Sequence, residues 1–421
     1  PARAGRAVPA LQRAERRRAG ASDARIGREV DVLAVPRSWQ EDQQGRRQKA
    51  NGGSHLIMTW PLFRNSTPST GSPVAMITSL SVNGQAVTAW NKSCLVSAAM
   101  RIGFIGLGNA GGKLAGSLLR NDYDLTVRDL DPEVAHPFLD GGASWASSPR
   151  EMAEACDVVI TCLPSPAACS AVMEADDGIL AGLSLVAGDS PRIWLEMSTT
   201  DESEVRRIGA LVAEAGAEPV DCPVSGGCHR AATGNIAIFA GCERATFERV
   251  LPVLTTMGRR ILHTGPLGSA SVLKVLTNYL ASANLLSVTE ALVTASAAGM
   301  DLNTTFEAIR ISSGNSFVHE TESQVILNGS RDINFTMDLV AKDVGLFDAL
   351  SRKLGIPLEL SPLLVEVFED GRVRYGDREF SPNIIRRLEE ATGQDVRAPG
   401  FPAEIVDYEP EESGYEVFPP R

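Results

Sequence analysis

The sequence predicts an α/β domain with a parallel, doubly wound sheet, followed by an all-helical domain. Three observations lead there. Short apolar runs alternate with helical segments between Met100 and His263, the pattern of strands joined by crossover helices. A glycine-rich turn directly follows the first apolar run. No convincing strand pattern appears after His263, and one long helical pattern starts at Ser269.

The chain has 421 residues, 43% of them hydrophobic, enough for a sizeable core and too many for a wholly disordered chain. At roughly 150 residues per domain, two or three domains are expected. No run approaches the 18 or so unbroken apolar residues of a membrane span, so no membrane association is expected. The formal net charge of -12 argues against a nucleic-acid partner. Seven cysteines form no CxxC pair, which favours reduced thiols and a cytoplasmic protein over a disulfide framework. No His/Cys cluster has metal-ligand spacing, so no metal is expected.

Residues 1–99 carry 14 Lys+Arg and 6 Asp+Glu and sustain no hydrophobic period. Residues 57–99 contain no acid. The segment is expected to be disordered or upstream material; an organelle transit peptide, and with it the mitochondrial matrix, is the alternative. Arg101–Ile105 is the first strand, and a helix follows through about Leu118. Tyr123–Val127, Val158–Leu163, Ile193–Met197, Ile236–Ala240 and Ile261–His263 continue the sheet, so residues 100–264 form the first domain. Residues 265–396 form the helical domain. Its long helix runs from Ser269 to about Ala298, with Gly299 as a stop. Further helices are expected near 303–312, 318–327, 337–353 and 361–371. Leu280, Ala283, Leu286, Ala291, Ala295 and Ala298 spread more than halfway round the long helix, predicting that it is buried along most of its length and joins subunits into a homodimer or homotetramer. Residues 397–421 hold six acids and one base among their last 21 positions and read as a solvated acidic tail.

Gly106-Leu107-Gly108-Asn109-Ala110-Gly111 is a GxGxxG motif between a strand and a helix, the setting in which it binds dinucleotides. The first glycine permits the tight turn, the second lets the backbone approach a pyrophosphate, and the third lets helix and strand pack closely. The helix N-terminus offers free N–H groups to the phosphates. Asp129 ends the second strand 23 residues after Gly106 and can accept hydrogen bonds from ribose hydroxyls. The plain alternative for Asp129 is a turn or cap. NAD is the expected cofactor, with NADP as the alternative should Arg128 bend toward a phosphate.

Asp221-Cys222-Pro223-Val224-Ser225-Gly226-Gly227 supplies a hydroxyl and unhindered N–H groups suited to a carboxylate, or else an ordinary glycine turn. Lys274 sits in the apolar run Val272–Leu276, where partial desolvation lowers a lysine pKa, and Asn278 shares its helix face. A snorkelling lysine is the bland alternative.

These segments, with Gly265-Pro266-Leu267-Gly268, resemble the β-hydroxyacid dehydrogenases over about residues 100–390. The resemblance implies a Rossmann domain and hydride transfer between nicotinamide and a small 3-hydroxyacid or its semialdehyde, as in 3-hydroxyisobutyrate dehydrogenase. Glyoxylate/succinic or tartronate semialdehyde reduction is the alternative activity, and a non-catalytic dinucleotide-binding module is the alternative of another class. It further implies Lys274 as general acid/base, Asn278 as substrate orienter, Ser225, Gly226 and Gly227 as carboxylate cradle, and Phe335 as a pocket wall. Leu163-Pro164, Ser198-Thr199 and Lys342 of the pair Lys342-Asp343 are implied cofactor contacts. Ala110, Leu114, Ala270, Thr277 and Cys228-His229 depart from the family pattern, which bears on the substrate more than on the reaction.

Overall fold

The computed structural model describes residues 78–82, 85–89, 100–184 and 190–420. The expectation of disorder or targeting for residues 1–99 thus lies mostly outside the described residues. Within that segment β1 (Thr78–Val82) and β2 (Gln85–Ala89) pair antiparallel. Asn83-Gly84 stands between them in the sequence, the dipeptide most favourable to a two-residue hairpin.

The main sheet is built from β3 (Arg101–Ile105), β4 (Asp124–Arg128), β5 (Ser144–Trp145), β6 (Val158–Thr161), β7 (Ile193–Glu196), β8 (Glu218–Asp221), β9 (Val224–Ser225), β10 (Ile236–Gly241), β11 (Gly258–Gly265) and β12 (Tyr415–Val417). Its order is β12-β11-β10-β8-β7-β6-β3-β4-β5, with β9 paired to β10. From β8 to β5 all pairs are parallel. The parallel expectation fails at β10, which runs antiparallel to β8 and β9 because the chain doubles back after Ser225. Alternate residues feed two cores. Ile102, Phe104 and Ile160 pack on one face, and Val159 and Trp194 on the other. Both faces are therefore covered by helices, as a doubly wound sheet requires.

The strand order reverses between β3 and β6, the position at which open α/β sheets bind ligands beyond their carboxyl ends. Helix α1 (Gly111–Arg120) starts there. Short helices α2 (His136–Asp140), α3 (Pro149–Ala155), α4 (Pro166–Glu174) and α5 (Ile179–Leu183) precede α6 (Glu202–Glu214), α7 (Cys228–Ala232) and α8 (Arg244–Met257).

The helical lobe comprises α9 (Ser269–Ala297), α10 (Leu302–Arg310), α11 (Phe317–Asn328), α12 (Met337–Lys353), α13 (Leu360–Tyr375) and α14 (Arg386–Thr392). Leu285, Leu292, Ile326, Val344 and Phe368 belong to its core. By length and composition α9 is apolar enough to cross a bilayer, yet it is the central packing element of this lobe, with α11 and α12 against it. Leu276 and Leu280 on its outer face are 37% and 57% exposed, so within one chain it is less buried than its pattern predicts.

The last stretch is a correction to the sequence-based view. Residues 397–420 are not a solvated tail, and strand structure does not stop at His263. Phe401 stacks edge-on against Phe306, Asp407 and Glu409 bind Asn235, and β12 pairs with β11. The acids are neutralised locally: Glu411 by Arg120, Glu412 by Arg259 and Glu416 by Arg244. That pairing removes the self-repulsion that makes an acidic run look solvated.

Candidate active site

The glycine turn after β3 has the geometry that its motif requires. Gly106 adopts φ +99, and a Cβ there would lie 2.3 Å from the Cys162 carbonyl oxygen. Only glycine fits that conformation and that contact. A Cβ on Gly108 would instead meet open space, so this part of the turn presents bare backbone outward. Gly108 and Asn109 are exposed, Ala110 is half-buried, and Gly111 is buried under the turn at the start of α1. The chain thus offers an open backbone face and a helix N-terminus, which fits a dinucleotide pyrophosphate.

Asp129 stands beside this turn. Its Oδ2 accepts from the Leu107 N–H at 2.6 Å and its Oδ1 from the Asp131 N–H at 3.1 Å. The half-buried carboxylate therefore braces the turn and flanks the glycine loop. Arg128 points the other way. Its guanidinium donates to the carbonyls of Ala146 and Ser147 and lies 5.7 Å from the Trp145 ring centroid.

At the carboxyl ends of β6 and β7, Leu163 is half-buried and Pro164 exposed. The Leu163 N–H donates to Ser198 Oγ at 2.7 Å, and the Ser198 N–H donates to Glu196 at 2.7 Å. Ser198 is 2% exposed. Its hydroxyl joins two loops, and Thr199 beside it is the more accessible of the pair. Glu196 is fully buried and its carboxyl is pushed above the ordinary range by that burial. Thr161 Oγ1, which receives the Trp194 indole N–H, donates to it.

The lysine of α9 is 8% exposed. Desolvation lowers the Lys274 pKa from 10.5 to about 8; Asp343 opposes this shift and Lys342 adds to it. Lys274 Nζ donates to Asn278 Oδ1 at 2.8 Å, one turn on. Asn278 Nδ2 donates to Asp343, whose other oxygen pairs with Lys342 Nζ at 2.7 Å. Lys342 Nζ also donates to the Thr199 carbonyl at 2.7 Å. One polar chain thus runs from α9 through α12 to the loop after β7. It brings together four residues singled out by sequence and a fifth, Asp343, noted there only as a partner of Lys342.

A second unanticipated group sets the register of α9. Gly268 precedes the helix in the left-handed region and offers no side chain as a cap. Asp221 takes over: its Oδ2 accepts from the Ser271 N–H at 2.7 Å and its Oδ1 from Ser271 Oγ at 2.8 Å. Ser271 lies one turn before Lys274. Burial raises the Asp221 carboxyl to about 6.

Ser225 ends the short strand β9, and Gly226 and Gly227 follow with φ +127 and +87. The next side chains fold back over this turn: a Cβ on Gly227 would lie 2.7 Å from the His229 ring and one on Gly226 3.4 Å from Arg230 Cδ. His229 stacks on Phe317 of α11 at 6.2 Å between centroids. Burial lowers the His229 pKa. The Cys162 carbonyl lies against the Gly106 turn, and its thiol feels the charges of Lys274 and Lys342. Phe335 is half-buried against the helical core, two residues before α12.

Comparison with known proteins agrees with this layout. Residues 101–265 match the NAD-binding domain of 6-phosphogluconate dehydrogenase, and residues 268–388 match the NAD-binding domain of NADP-dependent 3-hydroxyisobutyrate dehydrogenase. The chain is 32% identical over 298 residues to 2-(hydroxymethyl)glutarate dehydrogenase of Eubacterium barkeri, covering 70% of this chain and 97% of that one. It is 32% identical over 303 residues to the NAD-dependent L-serine dehydrogenase of Pseudomonas aeruginosa, covering 69% and 98%. The structure of Mycobacterium tuberculosis 3-hydroxyisobutyrate dehydrogenase with L-serine superposes with a TM-score of 0.61 at 26% identity, covering 69% of this chain and 99% of that one.

A dinucleotide fold joined to a helical lobe, with a buried lysine between them, defines a nicotinamide-dependent oxidoreductase. The chain belongs to the β-hydroxyacid dehydrogenase family, whose 3-hydroxyisobutyrate dehydrogenase-like members it resembles along both lobes. It is an NAD(P)-dependent hydroxyacid dehydrogenase.

Proposed function

We propose that this enzyme oxidises the hydroxyl of a small 3-hydroxyacid, or reduces the matching semialdehyde, with Lys274 as the proton-transfer group. The observation that carries this is the buried Lys274, its pKa lowered to about 8 and its Nζ held by Asn278. A binding module without chemistry has no use for a desolvated lysine held by an amide on the same helix face.

In this scheme Gly106, Leu107, Gly108, Asn109, Ala110 and Gly111 hold the pyrophosphate by backbone N–H groups. Asp129 takes the ribose hydroxyls and favours NAD, while Leu163, Pro164, Thr199 and Lys342 border the nicotinamide half. The bound nicotinamide supplies hydride chemistry at the substrate carbinol carbon. Neutral Lys274 accepts the hydroxyl proton at Nζ in oxidation; protonated Lys274 returns it in reduction and stabilises charge on the carbonyl oxygen. Asn278 orients the hydroxyl, and Ser225, Gly226 and Gly227 hold the carboxylate. Phe335 closes the apolar side.

The named relatives act on 2-(hydroxymethyl)glutarate, L-serine and 3-hydroxyisobutyrate, which bounds the substrate class. Glyoxylate, succinic semialdehyde and tartronate semialdehyde test the reductive alternative. A spectrophotometric panel of these acids and semialdehydes with NAD and NADP decides it: turnover of at least one 3-hydroxyacid or semialdehyde is expected, and inactivity on all of them refutes the assignment.

The exposed apolar face of α9, with Leu276 and Leu280, supports assembly into a homodimer or homotetramer. Six free cysteines among the described residues suit a reducing compartment, and we place the enzyme in the cytoplasm, with the mitochondrial matrix as the alternative.

A further inference from the structure

The matched family regions end at residue 388, and the C-terminal stretch beyond them runs from the helical lobe to the sheet past α7, the helix that follows the Ser225-Gly226-Gly227 turn. The segment is first anchored on the helical lobe. Ala398 N–H donates to the Leu327 carbonyl, Asn328 Nδ2 to the Phe401 carbonyl at 2.8 Å and Ser330 Oγ to the Ala403 carbonyl at 2.6 Å. It is last anchored on the sheet. Gly414 N–H donates to the Thr255 carbonyl at 2.8 Å, and β12 adds to β11. A Cβ on Gly414 would lie 2.0 Å from the Gly258 carbonyl oxygen, so the strand seats there only because position 414 has no side chain.

Between the anchors the segment grips α7 and the residues just after it. Asp407 Oδ2 accepts from Thr233 Oγ1 and from Asn235 Nδ2. The Glu409 carbonyl accepts a second bond from Asn235 Nδ2 at 2.9 Å, and the Glu409 carboxylate sits 3.5 Å from Arg230. Asn235 is 1% exposed and Asp407 half-buried, so the bonds to Asn235 are partly shielded from water. Arg120, the last residue of α1, donates to the Ala232 carbonyl at 2.9 Å and also pairs with Glu411 of the segment at 3.5 Å. Helix α7 has only five residues and no side-chain cap, and it follows directly on Gly227. So short a helix does not hold its own position.

We propose that residues 397–417 are a strap whose Asp407 is a positioning residue for the Ser225-Gly226-Gly227 turn, so that substrate affinity depends on a segment outside the catalytic framework. This rests on the carboxylate-cradle role given to that turn above. Asp407 touches no reacting atom; it fixes Thr233 and Asn235, these fix α7, and α7 fixes the two glycines whose backbone N–H groups must face the carboxylate. Without the strap the turn samples other arrangements, and each binding event must then select the competent one.

The test uses the full chain with L-serine and 3-hydroxyisobutyrate as substrates. Asp407→Ala is expected to raise KM for the hydroxyacid about tenfold, the size of losing one partly buried charge-assisted bond. KM for NAD should stay within about twofold, since the strap does not touch the Gly106 turn. Amide hydrogen exchange should speed up in residues 227–235 and stay unchanged in α1. Asp407→Asn keeps an oxygen toward Thr233 and Asn235 and should restore most of the affinity. Gly414→Ala, which unseats β12 at the far anchor, should give the same KM signature. Unchanged exchange at 227–235 in Asp407→Ala overturns the proposal, as does a parallel shift of both KM values, kcat and Tm. Ser225→Ala is measured alongside: if it raises the hydroxyacid KM while Asp407→Ala does not, the strap proposal alone falls. If neither does, the cradle assignment falls and takes the strap with it.

Discussion

Lys274 makes the sharpest test of the chemistry, because its environment fixes both the size and the direction of a pH effect. An ordinary lysine with a pKa of 10.5 is neutral in about one molecule per thousand at about pH 7.5. With the pKa at about 8 the neutral fraction is about one in four, a gain of roughly two-hundred-fold in base form. Oxidation needs the neutral amine. Its kcat/KM should therefore rise with pH and level off above about 8, while the reductive kcat/KM, which needs the ammonium, should fall across the same interval. Lys274→Ala should lower both by about 10²–10⁴ and abolish the inflection. Lys274→Arg should behave similarly, since a guanidinium stays protonated. NAD affinity, followed by fluorescence titration, should be nearly unchanged in both variants. The reasoning is refuted if Lys274→Ala loses less than about threefold, or if the inflection survives in its absence.

Three further outcomes rest on the geometry. Asp129→Ser should shift the ratio of kcat/KM for NADP over NAD upward by about tenfold or more, because a carboxylate facing the ribose repels a 2′-phosphate; an unchanged ratio means that Asp129 only braces the turn. Gly106→Ala should abolish stabilisation by NAD in a thermal-shift assay and cost about 2 kcal/mol or more, since its Cβ would press on the Cys162 carbonyl at φ +99. Leu280→Glu should convert the assembly to monomers by light scattering at micromolar concentration; a wild-type monomer would remove the interface assigned to α9.

What was legible in the sequence is what local pattern controls. Gly106, Gly108 and Gly111 announce themselves because a strand, a turn and a helix occur in register around them. Lys274 is conspicuous as a charge inside an apolar run. The helix limits fall within a few residues of their stops and caps, as at Asp301 and Ser316, whose side chains accept from Thr304 and His319. The illegible features depend on partners far away in the chain. Asp221 caps a helix fifty residues on, and nothing near Gly268 reveals that its cap is borrowed. Asp343 matters because Asn278 reaches it from another helix. The acids of residues 404–416 look solvated because Arg120, Arg230, Arg244 and Arg259, which neutralise them, lie at least 150 residues earlier. Asn83-Gly84 is different in kind: the hairpin signal is local, and the Ser/Thr-rich composition around it masked the alternation.

The edge position of β12 also bears on how the protein is made. Its partner β11 is complete by Gly265, whereas Tyr415–Val417 emerge only after the whole helical lobe has been synthesised. Chains leave the ribosome N-terminus first and their domains generally fold in that order. For the interval in which the helical lobe is being translated, the nascent sheet therefore carries an uncovered β11, and open edges recruit strands from neighbouring chains. A ribosome that stalls or terminates between residues 388 and 414 releases a polypeptide holding every residue assigned to catalysis but lacking the strand that covers this edge. Such products are expected to aggregate rather than accumulate as inactive monomers, which ties the integrity of the message's last stretch to the solubility of the enzyme.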